Sequence, residues 1–231
     1  MPRRFQLHLV TEPRYRSAEL IEAVAQAAEG GVDWVQLRDK SASALAMHTQ
    51  ASQLMGVLRP SGAYLSVNDR LDVALAAGAH GVHLAGQSLP VEAAVALAAG
   101  RLLVGRSVHS LPEARAAAAA GADYVTFGHV FPTTSHPGLP PRGLSELREI
   151  VRAVDVPVLA IGGITVNNLP AVLATGCAGI AVISAILAQP DPRAAAARLR
   201  AALDDSPHQP RIPFDPERKA PDAPHRQPTA V

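Results

Sequence analysis

Short aliphatic runs alternate along this chain with longer, alanine-rich stretches whose apolar positions recur at helical spacing. The runs predict strands over Gln6–Val10, Trp34–Leu37, Ala63–Val67, Gly81–Leu84, Leu102–Val104, Tyr124–Phe127, Pro157–Ile161 and Gly179–Ile183. The stretches between them predict helices over Ala18–Ala28, Ala42–Leu58, Leu71–Ala77, Pro90–Ala99, Pro112–Ala120, Leu144–Val154, Asn168–Ala174 and Pro192–Leu203. A weak repeat supports the pattern: alanines, then Gly30-Gly31, Gly78, Gly121 or Gly176, then a short apolar run. Glycine suits the left-handed position that stops a helix. A run of about five apolar residues suits a parallel strand buried on both faces.

Strict alternation of strand and helix, eight times over, predicts an α/β fold: a closed parallel (β/α)8 TIM barrel over residues 1–204. The rival is an open doubly wound sheet, but Thr11-Glu12-Pro13 after the first strand carries no glycine-rich phosphate turn. From Asp205 the composition shifts to Pro, Arg, His and Asp, and residues 205–231 are expected to form a disordered tail.

Composition narrows the function. Apolar residues make up 48% and the formal net charge is +1, with the arginines scattered, so neither a nucleic-acid face nor a membrane surface is expected. The lone Cys177 excludes an intrachain disulfide framework. No apolar run reaches bilayer length and no signal peptide is evident, so a cytoplasmic protein is expected.

In a barrel of this kind the chemistry lies at the C-terminal ends of the strands. Strand six ends in Gly128-His129, which places an imidazole suited to proton transfer at that mouth. Strand two exits through Gln36-Leu37-Arg38-Asp39-Lys40; the two cations suit a phosphate or carboxylate, or else form a surface cluster with Asp39. Strand three exits through Asn68-Asp69-Arg70, with Asn68 toward the pocket and Asp69 either capping the next helix or holding a metal. Strand five leads to Ser107, a candidate anion donor, to His109, read as structural, and to Ser110 as a helix cap. Gly162-Gly163 after strand seven and Ile183-Ser184 after strand eight fit the phosphate site that barrels build from these two loops.

Taken together, Gln36–Lys40, Asn68–Arg70, Gly81–Leu84, Phe131-Pro132-Thr133, Ala160–Ile164 and Ala181–Ile186 resemble the thiamine phosphate synthase superfamily across residues 5–200. The resemblance implies a phosphorylated thiazole substrate and adds Thr133 to the binding set. It covers two branches. The synthase joins a pyrimidine pyrophosphate to a thiazole phosphate with Mg²⁺; the TenI-like thiazole tautomerase aromatises a carboxythiazole phosphate by moving a proton.

The synthase pattern carries a second aspartate where this chain has Ser88, and a lysine where it has His136. Gly105–Ser110, Phe127–Phe131 and Gly138–Gly143 are similar to the tautomerase branch. The expectation is therefore an isomerase, a thiazole tautomerase with His129 as proton shuttle. Gln36, Arg38, Lys40, Asn68, Ser107, Thr133, Gly163, Ile183 and Ser184 would bind substrate, with no metal or cofactor. The alternative is the synthase, a transferase with Mg²⁺ on Asp69. A homodimer is also expected.

Overall fold

The computed structural model describes residues 5–13, 17–135 and 137–216. Its strands are β1 (Gln6–Val10), β2 (Trp34–Leu37), β3 (Tyr64–Asn68), β4 (Gly81–Leu84), β5 (Leu103–Val108), β6 (Tyr124–Gly128), β7 (Val158–Ile161) and β8 (Gly179–Val182). All pair in parallel, each with its sequence neighbour, and β8 closes on β1, giving the expected eight-stranded barrel. The helices are α1 (Ser17–Glu29), α2 (Ala44–Leu58), α3 (Leu71–Ala76), α4 (Val91–Ala98), α5 (Leu111–Ala119), α6 (Gly143–Ala153), α7 (Leu169–Leu173), α8 (Ser184–Leu187) and α9 (Pro192–Asp204). Side-chain caps start three of them: Ser43 accepts from Ala46 N–H, Ser110 from Glu113 N–H and Asp191 from Ala194 N–H.

Side chains alternate across a strand, and this chain uses the two faces differently. Leu7, Leu9, Val35, Leu37, Leu65 and Val67 pack with Leu20, Val24, Met47 and Leu54 of the helices, forming an annular core around the barrel. The residues between them are buried as well, but many are polar: Gln6, His8, Gln36, Ser66, Asn68, His83 and Thr126. The strands are thus buried on both faces but aliphatic mainly on one. Arg200 of α9 ties the last helix to the barrel, donating to Phe5 O at 2.9 Å and to Asp33 Oδ2 at 3.0 Å.

Two boundaries differ from expectation in ways that matter for the site. β5 continues through Ser107 and Val108, because Ser107 and Val108 pair with Thr126 and Phe127 of β6. β3 reaches Asn68, which pairs with His83.

The expected disorder from Asp205 needs correction for residues 205–216, which lie across the N-terminal end of the barrel. Arg211 anchors them, with its N–H on Gly176 O at 2.9 Å and its guanidinium on Val151 O at 3.0 Å and Val154 O at 2.6 Å. Phe214 is then buried against Trp34, Tyr124 and His8, at ring-centroid separations of 5.7, 5.1 and 5.3 Å. One aromatic ring and one arginine offset an ordering cost that composition alone does not reveal. Residues 217–231 of the expected tail lie outside the described residues. Among the described residues, no helix is long and apolar enough to cross a membrane.

Candidate active site

At the opposite, C-terminal end of the strands lies a cavity of about 900 Å³. Gln36, Arg38, Lys40, Asn68, Ser107, His129, Thr133, Gly163, Ile183 and Ser184 all line it. Six separate strand exits therefore bring every residue singled out for binding or catalysis to one cleft. Sequence reasoning missed Glu12, His83, Thr126, Ser135, Thr165 and Gln189, which also line it. The signal for His83 and Thr126 is the period-two alternation, which makes them the inward residues of β4 and β6.

The cation pair belongs to the cleft. Asp39 turns its carboxylate to its own loop, accepting from Ser41 N–H at 2.8 Å, Ser41 Oγ at 2.7 Å and Ala42 N–H at 3.1 Å. The Ser41 hydrogen bonds lead in holding the Asp39 carboxyl below the usual carboxylate range. Arg38 is fixed through its backbone, whose N–H donates to Thr11 Oγ1 at 2.8 Å. Arg38 contributes to the same lowering, while the hydrogen bonds of Asp39 go to its own loop.

A polar relay joins the exits of β2, β3 and β4. Gln36 Nε2 donates to Asn68 Oδ1 at 2.8 Å, and Asn68 Nδ2 donates to Asp69 Oδ2 at 2.6 Å. The other Asp69 oxygen accepts from Ala85 N–H at 2.9 Å and from Ser88 Oγ. Asp69 has φ 63°, a left-handed conformation that aspartate tolerates better than most residues. It does not cap α3, whose first turn has no side-chain cap. Arg106 holds the next peptide, donating to Ala85 O at 2.6 Å. Ser88 thus faces Asp69 at the position where the synthase pattern places a second carboxylate; His136 lies outside the described residues.

The β7 and β8 loops approach the cleft closely. Gly163 has φ 66°, and a Cβ there would stand 2.4 Å from Pro132 O. A Cβ on Gly162 would stand 2.4 Å from His129 Cβ. Asn168 braces the loop, donating from Nδ2 to Gly163 O at 2.9 Å and accepting from Thr165 N–H at 2.8 Å.

His129 is buried, and its Nε2 lies 3.3 Å from Leu139 O in the loop that follows β6. The same loop returns to the strand exit through Arg142 N–H on His129 O at 3.0 Å. The ring thus holds a loop in place while one side lines the cleft. His109 lines the cleft as well, its backbone N–H donating to the Glu113 carboxylate at 2.8 Å and its ring Nδ1 lying 3.4 Å from the same oxygen.

A family model described as thiamine monophosphate synthase matches residues 7–186. The chain belongs to the thiamine monophosphate synthase family. Among its relatives, a thiamine-phosphate synthase of Pyrococcus horikoshii is 41% identical over 202 residues, covering 87% of this chain and 96% of the relative. The thiamine-phosphate synthase of Roseiflexus castenholzii is 44% identical over 191 residues, covering 82% and 84%. The solved structure of a thiamine phosphate pyrophosphorylase from Pyrococcus furiosus superposes with a TM-score of 0.80 at 40% identity, covering 88% of this chain and 97% of that one.

These relatives overturn the isomerase expectation. They carry the synthase name over nearly the whole barrel, and nothing among them points to the tautomerase branch within the family. The proton-shuttle role given to His129 was tied to that expectation and loses its support with it. The departures at Ser88 and His136 are local changes in a chain otherwise similar to named synthases.

Proposed function

We propose that this protein is a thiamine-phosphate synthase: a transferase that joins a pyrimidine pyrophosphate to a phosphorylated thiazole and releases pyrophosphate. The observation that carries the reading is the similarity, at 40–46% identity, to relatives named for that activity. The convergence of Arg38, Lys40, Asn68 and Ser107 on one cleft beside Asp69 supports it.

The thiazole phosphate is read onto the main chain of Gly163, Ile183 and Ser184, where glycine lets an anion approach the backbone. Arg38 and Lys40 face the pyrophosphate, with Asn68 and Ser107 as neutral partners. The new bond forms at the carbon that carried the pyrophosphate, which leaves with the bonding electron pair. Positioning and stabilisation of the leaving charge are what the protein has to supply.

The residues present fit a magnesium ion. The Asp69 carboxylate is oriented by Asn68, Ala85 and Ser88; its Oδ1 already accepts two hydrogen bonds, and its Oδ2, which accepts one, keeps a lone pair for a metal. Mg²⁺ is typically held by one or two carboxylates together with substrate phosphates and water. When bound, Mg²⁺ would neutralise charge on the departing pyrophosphate, with Asp69 as its carboxylate ligand.

The test is an assay of the purified protein with both substrates, following thiamine phosphate by mass spectrometry and pyrophosphate by a coupled reaction. Stoichiometric formation of both, dependent on Mg²⁺, is the expected result. Absence of both products across a range of Mg²⁺ concentrations would refute the proposal.

A further inference from the structure

Three neighbouring strands place a histidine, a glycine and a tyrosine side by side. In register, His83 of β4 pairs with Gly105 of β5, and Gly105 pairs with Tyr124 of β6. A Cβ on Gly105 would stand 2.2 Å from Tyr124 Cζ and 2.4 Å from its hydroxyl oxygen. The phenol therefore lies across the glycine and reaches His83, whose Nδ1 is 3.2 Å from the Tyr124 oxygen. On the other side of the ring, His83 Nε2 is 2.9 Å from Ser107 Oγ. Tyr124 is buried in the base of the barrel, whereas Ser107 lines the cleft. The contacts run from the sealed interior to a hydroxyl on the cleft wall.

The protons along this line can be assigned. Buried between two hydroxyls, the neutral His83 imidazole carries one N–H and one lone pair. A phenol is a stronger acid than a neutral imidazole N–H, and the imidazole lone pair is a strong acceptor, so the phenol donates to Nδ1. The ring proton then sits on Nε2 and donates to Ser107 Oγ. The proton of Ser107 is left to point elsewhere, and the cleft is the side it faces.

We propose that His83, locked by Tyr124 across Gly105, is a positioning residue that commits the Ser107 hydroxyl to donate into the cleft. The cleft wall then favours anionic oxygen and disfavours a ligand donor at that point. The identity of that anion as pyrophosphate rests on the transferase reading; the tautomer does not.

The test uses the full chain labelled with ¹⁵N-histidine and long-range ¹H–¹⁵N NMR at neutral pH, with His83→Gln to assign the signals. A protonated Nε2 and a bare Nδ1 at His83 are expected; a protonated Nδ1, or an even mixture, overturns the proposal. In a second arm, Tyr124→Phe removes the lock. The His83 signals should then move toward a mixture, and the Kd for inorganic pyrophosphate, measured by calorimetry, should rise in inverse proportion to the Nε2–H population that is left, about twofold for an even mixture. A purely packing role for Tyr124 would lower thermal stability and leave both readouts unmoved, which also overturns the proposal. If Tyr124→Phe does not fold, the wild-type tautomer decides. The expected tautomer in a protein that forms no thiamine phosphate would refute the transferase reading and leave this inference standing.

Discussion

Acid should weaken this barrel through two histidines that lie inside it. Burial lowers the pKa of His8 to about 3 and that of His83 to about 4, from 6.5. An imidazole that stays neutral when folded but accepts a proton when unfolded contributes stability that is complete above pH 6.5. That stability is lost as pH falls, and the loss levels off only below the folded pKa values. At pH 5 the unfolded chain is protonated at both sites, and each costs 1.5 pH units times 1.36 kcal/mol, or about 2 kcal/mol. The pair together removes about 4 kcal/mol between pH 7.5 and pH 5, a large share of the roughly 5–15 kcal/mol typical of a folded domain. His80, also lowered by burial, adds in the same direction.

The assay is urea unfolding followed by far-ultraviolet circular dichroism at the two pH values. With a slope of about 3 kcal/mol per molar, the midpoint should fall by more than 1 M. His8→Leu removes one of the two sites and should recover about half of that shift. A midpoint that does not move between pH 7.5 and 5, or a His8→Leu protein with the full wild-type dependence, would refute the reasoning.

Two further perturbations test other parts of the structure. Phe214→Ala removes a buried ring and should cost about 3 kcal/mol, lowering Tm by about 8 °C; an unchanged Tm in a scanning calorimeter would show that the segment does not bear on the barrel. Ser88→Asp places a second carboxylate beside Asp69, and the Mg²⁺ concentration for half-maximal synthase activity should fall about tenfold; an unchanged titration would mean that the ion is not held at this exit.

The barrel was legible because eight aliphatic runs and eight alanine-rich stretches leave little choice of topology. The cleft was legible because the polar clusters interrupt the chain at strand exits: Arg38, Asn68, Ser107 and Gly163 are all conspicuous there. The interior relay was not, because Gly81-Val82-His83-Leu84 reads as an apolar run until the two faces are separated. Gly105 reads as a turn residue, although its purpose is to leave room for a ring on the next strand. Phe214 is a single aromatic in a polar stretch, and its burial depends on a surface built by Trp34 and Tyr124, far away in sequence. The isomerase expectation failed for a different reason. It weighed Ser88, His136 and His129 as marks of a branch, whereas they are few positions against a barrel-wide likeness. The contact of His129 with the carbonyl of Leu139 was not legible either, because Leu139 lies in a loop with no regular pattern.

The ring of Phe214 has a consequence for how the molecule is made. Translation runs from the N-terminus, so every strand and helix among the described residues is synthesised before the segment that corks the underside. Until then Trp34 and Tyr124 face water from below. A ribosome that halts after α9 releases a chain with the eight barrel strands but an open floor, and quality control would meet it as a sticky, half-sealed vessel.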